Sequence, residues 1–146
     1  MASASIVLQR RIEWSDTDAS GHWHNTAAFR MFEWAETALF DRLGILEDVY
    51  GRLPRVHVSA DFKSLLNHRD LVEIHLSVDV LGHTSITYEI QIRRGDELSV
   101  DARVVAALVG TDGAPEPWPE AYRALLLGAG PQVPELLSSG IVEDLS

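Results

Sequence analysis

The sequence predicts a single α+β domain in which one long helix packs against one antiparallel sheet. The first observation is a run of apolar residues, Ala28, Met31, Phe32, Ala35, Leu39, Phe40 and Leu43, at the i, i+3, i+4, i+7 spacing of one buried helix stripe. The second is a series of four downstream segments whose apolar residues alternate with period two, as on half-buried strands. The third is that short turns separate those segments, and short connections imply antiparallel neighbours. A single helix on a single sheet is an α+β arrangement.

Taken in order, Ile6–Trp14 reads as a first strand. Asn25 to about Gly44 reads as the helix, with Asn25 placed as N-cap and Gly44 where a C-terminal stop belongs. The alternating sets are Val56, Val58, Ala60, Phe62, then Val72 to Val80, then Ile86 to Ile92, then Leu98 to Leu108. Turns fall at Asn67-His68-Arg69-Asp70, Gly82-His83 and Arg94-Gly95-Asp96, so the four segments are expected to form a meander. Thr111–Pro119 is a Gly/Pro loop, Glu120–Leu127 a short helix, and Gly128–Ser146 a loosely held acidic tail. The domain is therefore expected over 1–127, with the tail at 128–146. There is no internal repeat. A sheet that wraps a helix on one face must cover its edges, and dimerisation is the usual way.

The chain has 146 residues, enough for a core without staples, and 46% of them are apolar. It has no cysteine, which removes disulfides, thiolate catalysis and zinc–thiolate sites together. The net charge of −10 argues against nucleic acid and against an anionic membrane surface, which both need a positive field. No apolar run is long enough to span a bilayer. The start, Met-Ala-Ser-Ala-Ser, has no basic stretch followed by an apolar one, so no signal peptide is read and a cytoplasmic location is the expectation.

Residues 16–34 carry most of the chemistry. A short acidic turn follows the first strand and runs directly into the helix, an arrangement that can hold a carboxylate beside the open N–H groups of a helix N-terminus. The turn Asp16-Thr17-Asp18-Ala19-Ser20-Gly21-His22, then Asn25, then Phe32-Glu33-Trp34-Ala35, with Pro54 leading the next strand, resembles the hotdog-fold acyl-CoA thioesterases of the 4-hydroxybenzoyl-CoA thioesterase type. The likeness covers roughly residues 6–125. It implies a hotdog domain, a long central helix wrapped by an antiparallel sheet, that hydrolyses an acyl-CoA thioester as a homodimer or homotetramer with active sites at a dimer interface.

By the same resemblance Asp18 is the catalytic carboxylate, acting as nucleophile or as general base toward water. Backbone N–H groups around Asn25 and Thr26 would polarise the thioester carbonyl, and Gly21 would allow the tight turn. His22 is expected to brace the turn and His24 to sit at the helix start near the thioester. Where many members carry Tyr, ten positions after the catalytic Asp, this chain has Ala28. Trp23-His24 is bulkier than the common pairs there, so Trp23 is expected to shape the acyl pocket.

Other readings of the same residues are blander. Asp16 is expected to be a turn or helix-facing structural group. The run Asp16-x-Asp18-x-Ser20-Gly21 imitates a calcium loop but has Ala27 where a bidentate Glu is needed. His22 and His24 with the aspartates suit a metal by type, yet such neighbours more often hydrogen-bond locally, so neither a metal nor a cofactor is assigned. Glu33 and Glu36 are expected to be solvated or interfacial ion-pair members, with Glu36 the reserve catalyst. Trp14, Trp23, Phe29, Phe32 and Trp34 are expected in core or interface. Arg52, Arg55, Lys63 and Arg69, with His57 and His68, form the one basic stretch. It fits the phosphates of coenzyme A as well as it fits an outer strand face. Two rivals stand beside hydrolysis of acyl-CoA: the same reaction on an acyl carrier protein, and acyl binding without turnover. A dehydratase is set aside because neither D-x-N-P-x-H nor H-F-P-G occurs.

Overall fold

A 17-residue helix, α1 (Thr26–Arg42), lies across the inner face of the sheet in this computed structural model, which describes residues 2–132 and 135–136. It buries Ala28, Met31, Phe32, Ala35, Leu39 and Phe40 of the predicted stripe together with Ala27 and Glu36, and Leu43, just past the helix, is partly buried. The helix stops because Gly44 turns left-handed (φ 77°), which lets the Ile45 N–H reach Phe40 O at 3.1 Å and the Gly44 N–H reach Asp41 O at 3.0 Å. Ile45 is buried as the apolar partner of that stop.

The strands are β1 (Ser5–Arg11), β2 (Arg55–Phe62), β3 (Leu71–Leu81), β4 (Ser85–Arg94), β5 (Glu97–Ala107) and β6 (Glu135–Leu136). Short helices α2 (Leu46–Val49) and α3 (Glu120–Gly128) follow α1 and β5. The sheet order is β2-β5-β4-β3-β1-β6. β6 pairs parallel to β1, and the pairings among β1 to β5 are antiparallel. Residues 133–134 and 137–146 of the expected acidic tail lie outside the described residues.

Two sequence expectations change here. β1 ends at Arg11 rather than at Trp14, because the chain enters a 3-10 turn, Trp14–Asp16. The Asp16 carboxylate accepts the Glu13 N–H at 2.8 Å and fixes the bend. The four downstream strands are also not one meander. β3, β4 and β5 form a meander, but β2 pairs with β5 at the far edge and not with β3. The connection 63–70 does turn at Asn67–Asp70, where the Asp70 N–H donates to Asn67 O at 3.0 Å, but it joins strands that are not neighbours. Its eight residues can span roughly 26 Å, ample for the three strand spacings of about 4.8 Å that separate β2 from β3.

The core lies between α1 and the inward residues of β1, β3, β4 and β5, among them Ile6, Leu8, Ile74, Leu76, Ile90 and Val104. The apolar set of β2 is different. Val58 pairs with Val104 and Phe62 with Val100 on that same face, yet Val56, Val58 and Phe62 are 61%, 36% and 42% exposed. No helix among the described residues is long and apolar enough to cross a membrane.

Candidate active site

The acidic turn is closed by its own backbone. Thr17 bridges to Trp23, the Asp18 N–H donates to His22 O at 3.1 Å, and the Gly21 N–H returns to Asp18 O at 3.0 Å. Gly21 takes φ 87°, the left-handed conformation such a return requires. Trp23 is buried and anchors the turn through its N–H to Leu66 O at 2.9 Å.

Asp16 and Asp18 sit in opposite surroundings. Asp16 is 1% exposed and accepts from Arg10 Nη1 at 2.6 Å, Arg30 Nη2 at 2.7 Å and the Glu13 N–H. Burial pushes its carboxyl up, but the Glu13 N–H and the two guanidinium groups outweigh that and hold it below the usual carboxylate range. Arg10 in turn stacks over Trp34, 3.9 Å from the ring centroid. Asp18 is exposed. Its Oδ1 accepts from the Ser20 hydroxyl and, at 2.8 Å, from the Ser20 N–H. The hydroxyl first and the N–H second hold its carboxyl below the ordinary range, with His24 and His22 adding to the effect. Oδ2 takes no hydrogen bond among the described residues.

The helix start differs from the expectation in one respect. Asn25 is already in helical conformation (φ −59°, ψ −27°) and its side chain makes no capping bond. A capping side chain works from an extended residue, so the role passes to His24. Its Nδ1 accepts the Thr26 N–H at 3.1 Å and its carbonyl accepts the Ala27 N–H at 2.9 Å. Accepting at Nδ1 leaves the neutral ring's proton on Nε2. The Thr26 hydroxyl lies 2.7 Å from the same nitrogen. With those donors used, the Asn25 N–H has no partner among the described residues. Beside it is a hollow of about 290 Å³ lined by Trp23, Asn25, Phe62, Lys63, Ser64 and Leu65. His22 Nδ1 meets Asn67 Oδ1 at 2.9 Å and ties the turn to the β2–β3 connection.

The basic stretch is divided by the fold. Arg52 pairs with Glu116 at 2.8 Å and Asp48 at 3.3 Å, while its Nε donates to Val109 O. Arg55 pairs with Glu36 at 2.8 Å, and the Tyr88 hydroxyl donates to the same Glu36 oxygen at 2.6 Å. Lys63 remains in the hollow beside Asn25, with no acidic partner among the described residues. Glu36 is thus buried with two partners rather than solvated. Trp14 is 76% exposed, touching His68 edge-on. Phe29 is 42% exposed, while Phe32 is buried and Trp34 partly so.

Two networks escaped sequence reasoning, Arg10–Asp16–Arg30 and Glu36–Arg55–Tyr88. A signal for both was present. Arg10 occupies an inward position of the series Ile6, Leu8, Ile12, and Glu36 falls inside the helix stripe between Ala35 and Leu39. A charge at a core position calls for a buried partner.

The profile of the Thioesterase-like superfamily matches residues 12–126, most of the chain. The chain belongs to the thioesterase-like superfamily. Solved structures share the fold. A 1,4-dihydroxy-2-naphthoyl-CoA thioesterase from Synechocystis superposes with a TM-score of 0.76 at 18% identity, covering 84% of this chain and 95% of that one. A gentisyl-coenzyme A thioesterase gives 0.74 at 20% identity, covering 82% and 98%. A mutant 4-hydroxybenzoyl-CoA thioesterase complexed with 4-hydroxybenzoyl-CoA gives 0.74 at 22% identity, covering 84% and 98%. On this thioesterase-like hotdog fold, Asp18 and the open Asn25 N–H both belong to the segment that leads from the end of β1 into α1. A carboxylate with one free oxygen can attack a carbonyl or take a proton from water. The positive end of α1 favours negative charge developing nearby.

Proposed function

We propose that this protein hydrolyses an acyl-CoA thioester to the free acid and CoA, with Asp18 as the catalytic carboxylate. The observation that carries the reading is the pairing of an exposed, ionised Asp18 with an unused Asn25 N–H at the helix start, in a chain of the thioesterase-like superfamily. The Asn25 N–H is the oxyanion donor, assisted by the field of α1. His24 fixes the helix start, and its Nε2–H is left to face the reactants. Gly21 and His22 hold the turn. Trp23 and Thr26 border the acyl entrance.

In the nucleophilic route Asp18 Oδ2 attacks the thioester carbon. The C–S bond breaks with departure of CoA thiolate, and water then cleaves the mixed anhydride. In the general-base route Asp18 takes a proton from the water that attacks the same carbon. The lowered pKa of Asp18 keeps it ionised at neutral pH, as both routes require.

For the phosphates of CoA we assign Lys63, in the hollow, ahead of Arg52 and Arg55, which are held by carboxylates of the chain itself. The neighbours whose names record CoA thioesters support that substrate over a carrier protein. The open apolar face and free edge of β2 support a homodimer through that strand, and a tetramer by pairing of dimers.

The test is free-thiol release from aromatic, short, medium and long acyl-CoAs, set beside the same acyl groups on a carrier protein. Turnover of any CoA ester supports the assignment. Turnover confined to carrier-bound esters replaces the substrate, and acyl-CoA binding without thiol release would sink the enzymatic reading.

A further inference from the structure

A cavity of about 670 Å³ lies between α1 and the segment that runs from α2 to the start of β2. Its volume falls within the range of roughly 300–1,000 Å³ typical of ligand pockets. Trp34, Phe40, Leu46, Tyr50 and Leu53 give it apolar walls, and Glu36 and Arg55 give it a charged lining. No residue of the acidic turn lines it. A solvent-facing side of α1 runs from Thr26 toward it. Phe29, Glu33 and Thr37 follow Thr26 by three, seven and eleven residues on the same side of the helix, and Glu33 and Thr37 line the cavity.

We propose that this cavity receives the far end of an extended acyl chain of about twelve carbons bearing a terminal hydroxyl, read by Glu36 and Arg55 as specificity-determining residues. The proposal rests on the acyl-thioester reading above. The length follows from the helix. Glu36 is ten residues beyond Thr26, about 15 Å at 1.5 Å per residue. An extended chain advances about 1.25 Å per carbon for bonds of 1.52 Å at 111°.

The hydroxyl follows from how the buried pair is satisfied. Glu36 Oε2 accepts both bonds, from Arg55 Nη1 and from the Tyr88 hydroxyl. Oε1 takes none among the described residues, yet it is not among the buried atoms sealed without a partner. It is therefore an unused acceptor on a side chain that lines the cavity. Tyr88, wholly buried, is kept neutral by burial and by Glu36 beside it, so it stays a donor. A hydroxyl donates to Oε1 and accepts from the remaining N–H groups of Arg55. A carboxylate end meets a second anion at Glu36, and a methyl end covers Oε1 without pairing it. Stability alone does not account for the pair, since apolar residues of similar volume serve a core as well.

The experiment measures quenching of tryptophan fluorescence, Trp34 being in the wall, by three thioether analogues that no hydrolase can cleave: S-butyl-CoA, S-dodecyl-CoA and S-(12-hydroxydodecyl)-CoA. Wild type is expected to bind the hydroxylated analogue about tenfold tighter than the plain dodecyl one. Glu36→Gln brings that ratio to within about twofold and leaves S-butyl-CoA unchanged. Leu53→Trp, which fills the cavity and leaves the buried pair in place, weakens both dodecyl ligands at least about tenfold and spares S-butyl-CoA. Equal affinity of the two dodecyl ligands for wild type, or indifference of both to Leu53→Trp, overturns the proposal, and these two readings decide it if Glu36→Gln does not fold. Thiol release from any member of the aromatic, short, medium and long acyl-CoA panel, measured alongside, tests the parent reading separately. Its absence removes the hydrolase and leaves the affinity ratios to decide the cavity.

Discussion

Asp16 and Asp18 stand two residues apart in one turn, and the groups around them set what each can do. Asp16 holds two arginines and a backbone N–H in a buried site, so removing its charge leaves the buried Arg10 with only the longer 3.6 Å pair to Glu13. Asp16→Asn is expected to lower stability at pH 7 by about 3–5 kcal/mol, read by denaturant unfolding. Because the folded-state pKa of Asp16 is lowered, its stabilisation is complete above the unfolded value of about 3.9 and fades as pH falls through the lower folded value. The gap between wild type and variant should accordingly shrink below about pH 4. Asp18 owes its lowered pKa first to the Ser20 hydroxyl. The acidic limb of kcat/KM is therefore predicted below the ordinary aspartate value, and Ser20→Ala should move it up toward about 3.9 in brief pH-jump assays. An unmoved limb assigns it to another group. The turn and its two carboxylates were legible in the sequence. Which of them is buried was not, because that depends on Arg10 and Arg30 arriving from β1 and α1.

Helix α1 was legible because its stripe and its glycine stop are local features. Gly44 has φ 77° with no atom within 4 Å of where a Cβ would stand, so Gly44→Ala incurs backbone strain without a clash. A loss of about 1–2 kcal/mol in thermal or chemical unfolding is expected. A neutral result would mean that the helix end relaxes out of its left-handed turn. The helix start was misread at Asn25, since the capping atom is a ring nitrogen of His24, a residue that capping preferences do not rank. Glu36 is in an ion pair, as the sequence reading expects, but in a buried one rather than a solvated one. Its partners, Arg55 and Tyr88, are supplied by β2 and β4, and long-range pairings leave no periodic mark in the chain.

At the scale of the whole molecule, period-two patterning located β2 to β5 but not their order. Alternation says which face a residue occupies and nothing about which strand lies beside it. β2 shows the consequence. Val56, Val58 and Phe62 fall on the apolar face of a half-buried strand in the sequence, yet within one chain they stay open, at the edge of the sheet. Val58→Lys is predicted to shift the protein to monomer in sedimentation or light scattering while the monomer keeps its circular dichroism, because a charge there opposes strand pairing. An unchanged assembly would place the interface elsewhere. The proposed hydrolysis depends on the acidic turn, the start of α1 and a bound thioester acting together. The most direct measurement is kcat/KM for the best acyl-CoA substrate with wild type and Asp18→Asn, at matched fold and oligomeric state. A fall of at least about 100-fold is predicted, and activity retained within a few-fold would contradict Asp18 as the catalyst.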